Sequence, residues 1–189
     1  MNTQRVAQLV KELLTEIGED PGREGLLKTP ERVAKALEFL TSGYRMGIRE
    51  IVNAAVFETE ANSMIILKNI EIYSLCEHHM LPFFGKCHVG YIGRNKTIGV
   101  SKVARIADYH ARRLQTQERL TSAIAREMMT AVGAEGVGVV MECRHLCMMM
   151  RGVEKQNSLM TTSSVLGSFH SDSKTRAEFL SLIGFPSAT

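Results

Sequence analysis

Apolar residues recur at helical spacing over residues 3–17, where Val6, Leu9, Val10, Leu13, Leu14 and Ile17 share one side, and the run stops at Gly18. The loop E-D-P-G-R-E-G follows. Thr29-Pro30 then reads as the cap and first position of a second helix with Val33, Ala34, Leu37 and Leu40 inward. Gly43 and Gly47 break the pattern, and a short helix is predicted over 48–54. From about residue 60 the period changes. Residues 64–68 and 70–75 read as one long strand or two, and 83–92 as a second, punctuated by Gly93. Two helices are expected next, 101–114 with Ser101 as N-cap and 117–132 ending at Gly133. Residues 137–147 and 161–169 read as strands, and 172–183 as a closing helix capped by Ser171 or a near neighbour.

That order, β-β-α-α-β-β, predicts an α+β domain over 61–189. Its antiparallel sheet would be covered by helices on one face, behind an N-terminal helical region over 1–60. The bare face and edges would need burying, so self-association is expected. A chain of 189 residues, 44% hydrophobic and 23% charged, has the composition of a soluble globular protein. No apolar run reaches a membrane span of ~18 residues, and the first residues lack the apolar core of a secretory signal. A net charge of +3 without a basic run, and the absence of Trp, argue against nucleic acid as a partner. Four cysteines in no scaffold pattern fit a reducing cytoplasm.

The chemistry concentrates in two remote stretches, S-L-C-E-H-H-M over 74–80 and R-H-L-C-M-M-M-R-G over 144–152. Cys76 and His79 stand three apart, which lets one turn grip an ion, and Cys147 supplies a third soft donor. Thiolate and imidazole are what zinc prefers, and three protein ligands with an open fourth position describe a catalytic site. On a continuous strand His145 and Cys147 would share a face with Met141 and Cys143. His78 and His145 then remain as a candidate acid/base pair beside the ion. Alternatives stay open: a Cys76–Cys147 disulfide, two buried apolar cysteines, or a closed structural zinc with His78 or His145 as fourth ligand.

Weaker candidates have bland readings beside them. Ser101, Lys102 and Arg105 open a helix where cations oppose the dipole, so cap, free N–H groups and charge together form a candidate anion site. Arg32 and Lys35 lie on one side of a helix and read equally as a solvated face. Glu118 sits where an acid complements the helix dipole anyway. His88, in mid-strand, reads as structural.

Four stretches, S-L-C-E-H-H-M-L-P-F-F-G-K, I-G-V-S-K-V-A-R-I, R-R-L-Q-T-Q-E-R-L-T and H-L-C-M-M-M-R-G-V, resemble GTP cyclohydrolase I in order and spacing. K-T-R-A-E-F-L-S-L-I near the end matches too, and the likeness covers about Gly25 to Ile183. The resemblance implies the tunnelling fold, assembled as a homodecamer of two face-to-face pentamers. It implies conversion of GTP and water to formate and 7,8-dihydroneopterin triphosphate, the entry to folate or, in animals, tetrahydrobiopterin. Carried over by position, it makes Cys76, His79 and Cys147 ligands of Zn2+, and His78 and His145 the acid/base residues. It makes Glu118, with Gln117 beside it, the reader of the guanine edge. Ser101, Lys102, Arg105 and Arg151 would contact ribose and triphosphate, with Arg32 and Lys35 supplied by a neighbouring subunit. Met149 departs from those bacterial members that carry a lysine there, leaving one cation fewer. Cys87 and His88 receive no role.

Overall fold

The computed structural model of the chain describes residues 1–53, 55–60 and 63–185. It divides into two compact units, Met1–Ser42 and Gly43–Thr189. In the first unit, helix α1 (Thr3–Glu16) starts from Asn2, whose side chain accepts from Arg5 N. The chain turns off at Gly18, φ +90°. Helix α2 (Thr29–Leu40) carries Pro30 in its first turn, where a missing N–H costs nothing. Lys28 rather than Thr29 is its flanking residue, so the expected cap is already helical.

In the second unit the expected short helix is α3 (Ile48–Val52), and position 54 lies outside the described residues, as do positions 61 and 62 at the expected start of the sheet domain. Strand β1 (Val56–Glu58) pairs with β4 (Lys96–Ile98). The main sheet has the order β5-β2-β3-β6-β7. Its members are β2 (Met64–Cys76), β3 (Pro82–Ile92), β5 (Leu114–Gln115), β6 (Gly136–His145) and β7 (Met160–Gly167). Strands β2, β3, β6 and β7 are antiparallel neighbours, and β5 alone runs parallel, beside the end of β2. The two runs read at 64–68 and 70–75 are one strand with a bulge between Leu67 and Ile70, where Asn69 takes φ +58°.

Helices α4 (Val100–Ala111) and α5 (Gln117–Val132) cover one face. Ile106, Leu120, Ile124 and Met128 pack there against Ile72, Phe83, Val89, Val139 and Met141, all fully buried. Each such side chain contributes about 1.5–3 kcal/mol of transfer free energy. The period-2 pattern of β3 and β6 points these residues inward. The second face is partly covered as well. Phe169 from α7 (Ser168–Ser171) and Phe179 from α8 (Ser173–Ile183) pack with Val140. A Cβ at Gly138 would come within 2.6 Å of Phe169, and one at Gly90 within 2.7 Å of Phe179. Glycine at this cross-strand pair is what lets the rings lie on the sheet. The strand read at 161–169 therefore ends two residues early, because Phe169 turns into this second core. Asp172 caps α8 by accepting from Lys174 N and Thr175 N. Farther along the same face, the paired Tyr73 and Phe84 remain exposed.

Two expectations are corrected. Strand β6 stops at His145, and Leu146–Met149 form a helical turn, α6. Pairing with β7 ends at Cys143, and pairing with β3 ends at Phe83, just inside Pro82. Past His145 no strand remains to satisfy the backbone, and Leu and Met favour helix over strand. His145 and Cys147 therefore do not share a strand face. Helix α4, for its part, begins at Val100 with Gly99 flanking it, so Ser101 lies inside the first turn and its hydroxyl makes no cap bond.

Candidate metal centre and active site

Three chain segments converge at one end of the sheet. The loop joining β2 to β3 is residues 77–81, closed by Cys76 N to Leu81 O (2.8 Å) and Met80 N to Cys76 O (2.8 Å). Met80 adopts φ +56° to complete the turn. Cys76 ends β2 and is buried, while His78 and His79 are exposed in the loop. Turn α6 brings in Cys147, a residue the sheet alone would not have delivered. The donor atoms of Cys76, His79 and Cys147 all lie within 4.8 Å of one another, with Cys76 Sγ 4.0 Å from His79 Nδ1.

These donors suit zinc. Bonds of about 2.0–2.3 Å in tetrahedral geometry place ligand atoms about 3.5–3.8 Å apart, so closure needs shifts below about 1 Å. Burial and the adjoining Cys76 sulfur push the Cys147 thiol up, and a divalent cation inverts that preference. Cys87 and Cys143 are fully buried thiols in the core, with Cys143 pushed up to about 12 by burial. They stand apart from the cluster.

His145 lies beside the cluster, at the end of β6, opposite Phe83 in β3. Their rings stack at 4.6 Å and 7°. Burial holds the His145 pKa below the ordinary imidazole value, and the Glu118 charge partly restores it. Its Nε2 lies 2.8 Å from Gln117 Oε1. Gln117 itself is buried at 1% exposure, and its amide nitrogen donates to Met141 O, Met160 O and Thr162 Oγ1. The side chain of Gln117 is thus spent inside the protein, whereas its neighbour Glu118 is exposed.

Strand β5 sets the start of α5 against the metal turn. Gln115 pairs with Cys76, and Glu77 N donates to Gln115 O at 3.0 Å. Thr116 caps α5 by accepting from Arg119 N. Arg119 then reaches back to the Glu77 carboxylate, Leu114 O and Gln115 Oε1. The other Glu77 oxygen faces His78 Nε2 at 4.0 Å. No residue pattern in the sequence assigns a role to Arg119, Glu77 or Phe83. The one available signal was the i, i+4 spacing of Gln115 and Arg119.

Arg151 joins the centre, with Nη1 3.3 Å from His79 Nε2. Ser101, Lys102 and Arg105 make no described hydrogen bond, ion pair or ring contact with the cluster. Arg105 instead lines a cavity of about 400 Å³ with Arg45, Glu50 and Asp108. Arg32 and Lys35 are exposed on α2, in the N-terminal unit. His88 is buried in β3, edge-on to Phe185, consistent with a structural residue.

The family model described as GTP cyclohydrolase I matches residues 6–184. The GTP cyclohydrolase 1 of Methylococcus capsulatus is 61% identical over 93% of this chain and 95% of its own. That of Coxiella burnetii is 59% identical over 94% and 97%. That of Leptospira biflexa is 58% identical over 93% and 96%. With a match of that extent, the chain belongs to the GTP cyclohydrolase I family and has its tunnelling fold.

Proposed function

We propose that the protein hydrolyses the imidazole ring of GTP, giving formate and 7,8-dihydroneopterin triphosphate. The observation that carries this reading is the convergence of Cys76, His79 and Cys147 within 4.8 Å, next to a partly buried histidine. A zinc ion held by these three side chains would supply a Lewis acid and a water acidified toward neutral pH.

The remaining work falls to the chain's own groups. Glu118, exposed at the start of α5, accepts from guanine N1–H and the 2-amino group together. Adenine offers no such donor pair and would leave the carboxylate unpaired, so discrimination is large. His145 and His78 move protons to and from the purine as the C8–N bonds open, formate leaves, and the ribose isomerises and closes onto the freed amine. Ser101, Lys102, Arg105 and Arg151 hold the ribose and a triphosphate of about four charges, with Arg32 and Lys35 from a neighbouring subunit. Met149 leaves this set one cation smaller than in relatives with lysine there. The exposed pair Tyr73 and Phe84 offers an apolar contact for self-association, and two pentamers forming a decamer is the assembly that the family resemblance implies. The product enters folate or tetrahydrobiopterin synthesis in the cytoplasm.

The test is direct. Zinc-loaded protein incubated with GTP should release formate and, after oxidation, a fluorescent neopterin. A pterin- or purine-binding protein with a structural zinc would give neither.

A further inference from the structure

We propose that Gln117 is a positioning residue, whose side-chain amide fixes His145 as the Nε2–H tautomer and leaves Nδ1 as the atom that exchanges protons with substrate. The inference rests on the hydrolytic reading above and gives the Gln117 side chain a different task from reading the guanine edge.

The hydrogen-bond network settles the orientation of the amide. Gln117 Nε2 lies 3.1 Å from Met141 O and 2.9 Å from Met160 O. Backbone carbonyls only accept, so the atom facing them must be the NH2 group. The third neighbour agrees. Thr121 Oγ1 donates to Gln117 O at 2.7 Å, which uses its single hydrogen. Thr162 Oγ1, 2.7 Å from Thr121 Oγ1, must then donate to it and accept from Gln117 Nε2 at 3.0 Å. Flipping the amide would set an oxygen against two carbonyl oxygens. Oε1 therefore faces His145, and as a pure acceptor it requires a hydrogen on Nε2, 2.8 Å away.

That bond survives in both protonation states, because Nε2 is a donor in the neutral ring and in the imidazolium. Proton exchange is confined to Nδ1. The stacked Phe83 holds the ring plane, so the amide and the phenyl ring together define the direction in which Nδ1 points. Gln117 and Glu118 thus split the work of one helix start: the buried residue orients the general acid/base, and the exposed one meets the purine.

The experiment uses zinc-loaded protein carrying ¹⁵N-labelled histidine, as wild type, Gln117→Met and Gln117→Glu. In the wild type at neutral pH, His145 should show a pyrrole-type shift at Nε2 and a pyridine-type shift at Nδ1. Gln117→Glu sets an oxygen against the Met141 and Met160 carbonyls and a charge beside the ring, so it should draw a second proton onto His145, whereas Gln117→Met should lose the Nε2–H preference without adding charge. With zinc content unchanged, Gln117→Met should lower kcat by about 10–100-fold and leave KM for GTP within about threefold. A wild-type His145 protonated at Nδ1, or a KM rise of tenfold or more with kcat retained, overturns the proposal. A wild type that yields no formate from GTP overturns the functional reading instead, while the tautomer is still read independently. Should Gln117→Glu fail to fold, the wild-type and Gln117→Met spectra decide the matter alone.

Discussion

The guanidinium of Arg119 grips the carboxylate of Glu77, which lies between the candidate zinc ligands Cys76 and His79 in the metal turn, and the same side chain bonds Gln115 Oε1 and Leu114 O. It thereby ties the loop after β2 to the start of α5. Both partners are partly exposed, so the ion pair itself contributes at most about 1 kcal/mol. Arg119→Ala should consequently leave the melting temperature nearly unchanged while lowering kcat about tenfold, because the turn and helix lose their mutual register. Arg119→Lys, with no planar fork, should recover little. Thermal melts beside steady-state kinetics check this, and a large loss of stability with kcat intact would contradict it.

The three ligands and the acid/base histidine should separate cleanly by metal content. Cys147→Ala should lose zinc and formate release together. His145→Ala should keep zinc, measured by elemental analysis, and lose about 10²–10⁴ in kcat. Loss of zinc in both would make His145 a fourth ligand and the site a closed one.

Removing the metal should also affect Arg151. Guanidinium only donates, so its contact with His79 Nε2 needs the Nε2 lone pair, whereas ligation through Nδ1 needs a hydrogen there. The two arrangements exclude one another. Zinc loading should therefore release Arg151, and a non-hydrolysable GTP analogue should bind more tightly to loaded than to chelator-treated protein. Arg151→Ala should shrink that difference, as isothermal titration would measure.

Guanine selectivity should depend on the charge of Glu118. Glu118→Gln presents a donor where the purine also donates. The amide oxygen still accepts one bond, but the other becomes a donor–donor clash and the charge is lost, which should cost kcat/KM for GTP about 10²-fold or more. Zinc content should stay constant. Unchanged turnover would remove Glu118 from the site.

The pH dependence of stability should carry the mark of His110. Burial, then the charges of Arg113 and Arg126, lowers it from 6.5 to about 4. As pH falls, the unfolded chain takes up this proton first, so stability is full above about 6.5 and declines toward 4. At about 1.4 kcal/mol per pH unit the whole span is worth at most ~3.5 kcal/mol. Glu127 and Asp108, raised by burial, add the opposite slope near the acid end. The His110 contribution falls between about 4 and 6.5, alongside same-sign contributions from His88 and His145, which burial also lowers, and His110→Gln should reduce the slope of denaturant-derived stability there.

Much of this protein was legible in its sequence, for reasons of period and donor chemistry. Helical spacing from Val6 to Ile17 and from Leu120 to Val132, each ended by a glycine, fixed those helices, since a local pattern suffices to bury one face. Alternation in 83–92 and the run of β-forming residues in 137–147 marked the central strands. Cys76, His79 and Cys147 could be named because few residue types bind a soft divalent ion. Tertiary structure decided the rest. Strand β6 ends at His145 because its partners end there, and only that places Cys147 on a turn facing Cys76. Ser101 fell inside α4 because the helix starts one residue earlier, after Gly99, whose N–H is held by Ala55 O and whose carbonyl accepts from Lys102 N. Gln117 and Arg119 are ordinary residues at a helix start until the sheet brings Met141, Met160 and Glu77 against them. Hydrogen bonds between residues distant in sequence leave no period to read, so their chemistry emerged only once the strands were in register.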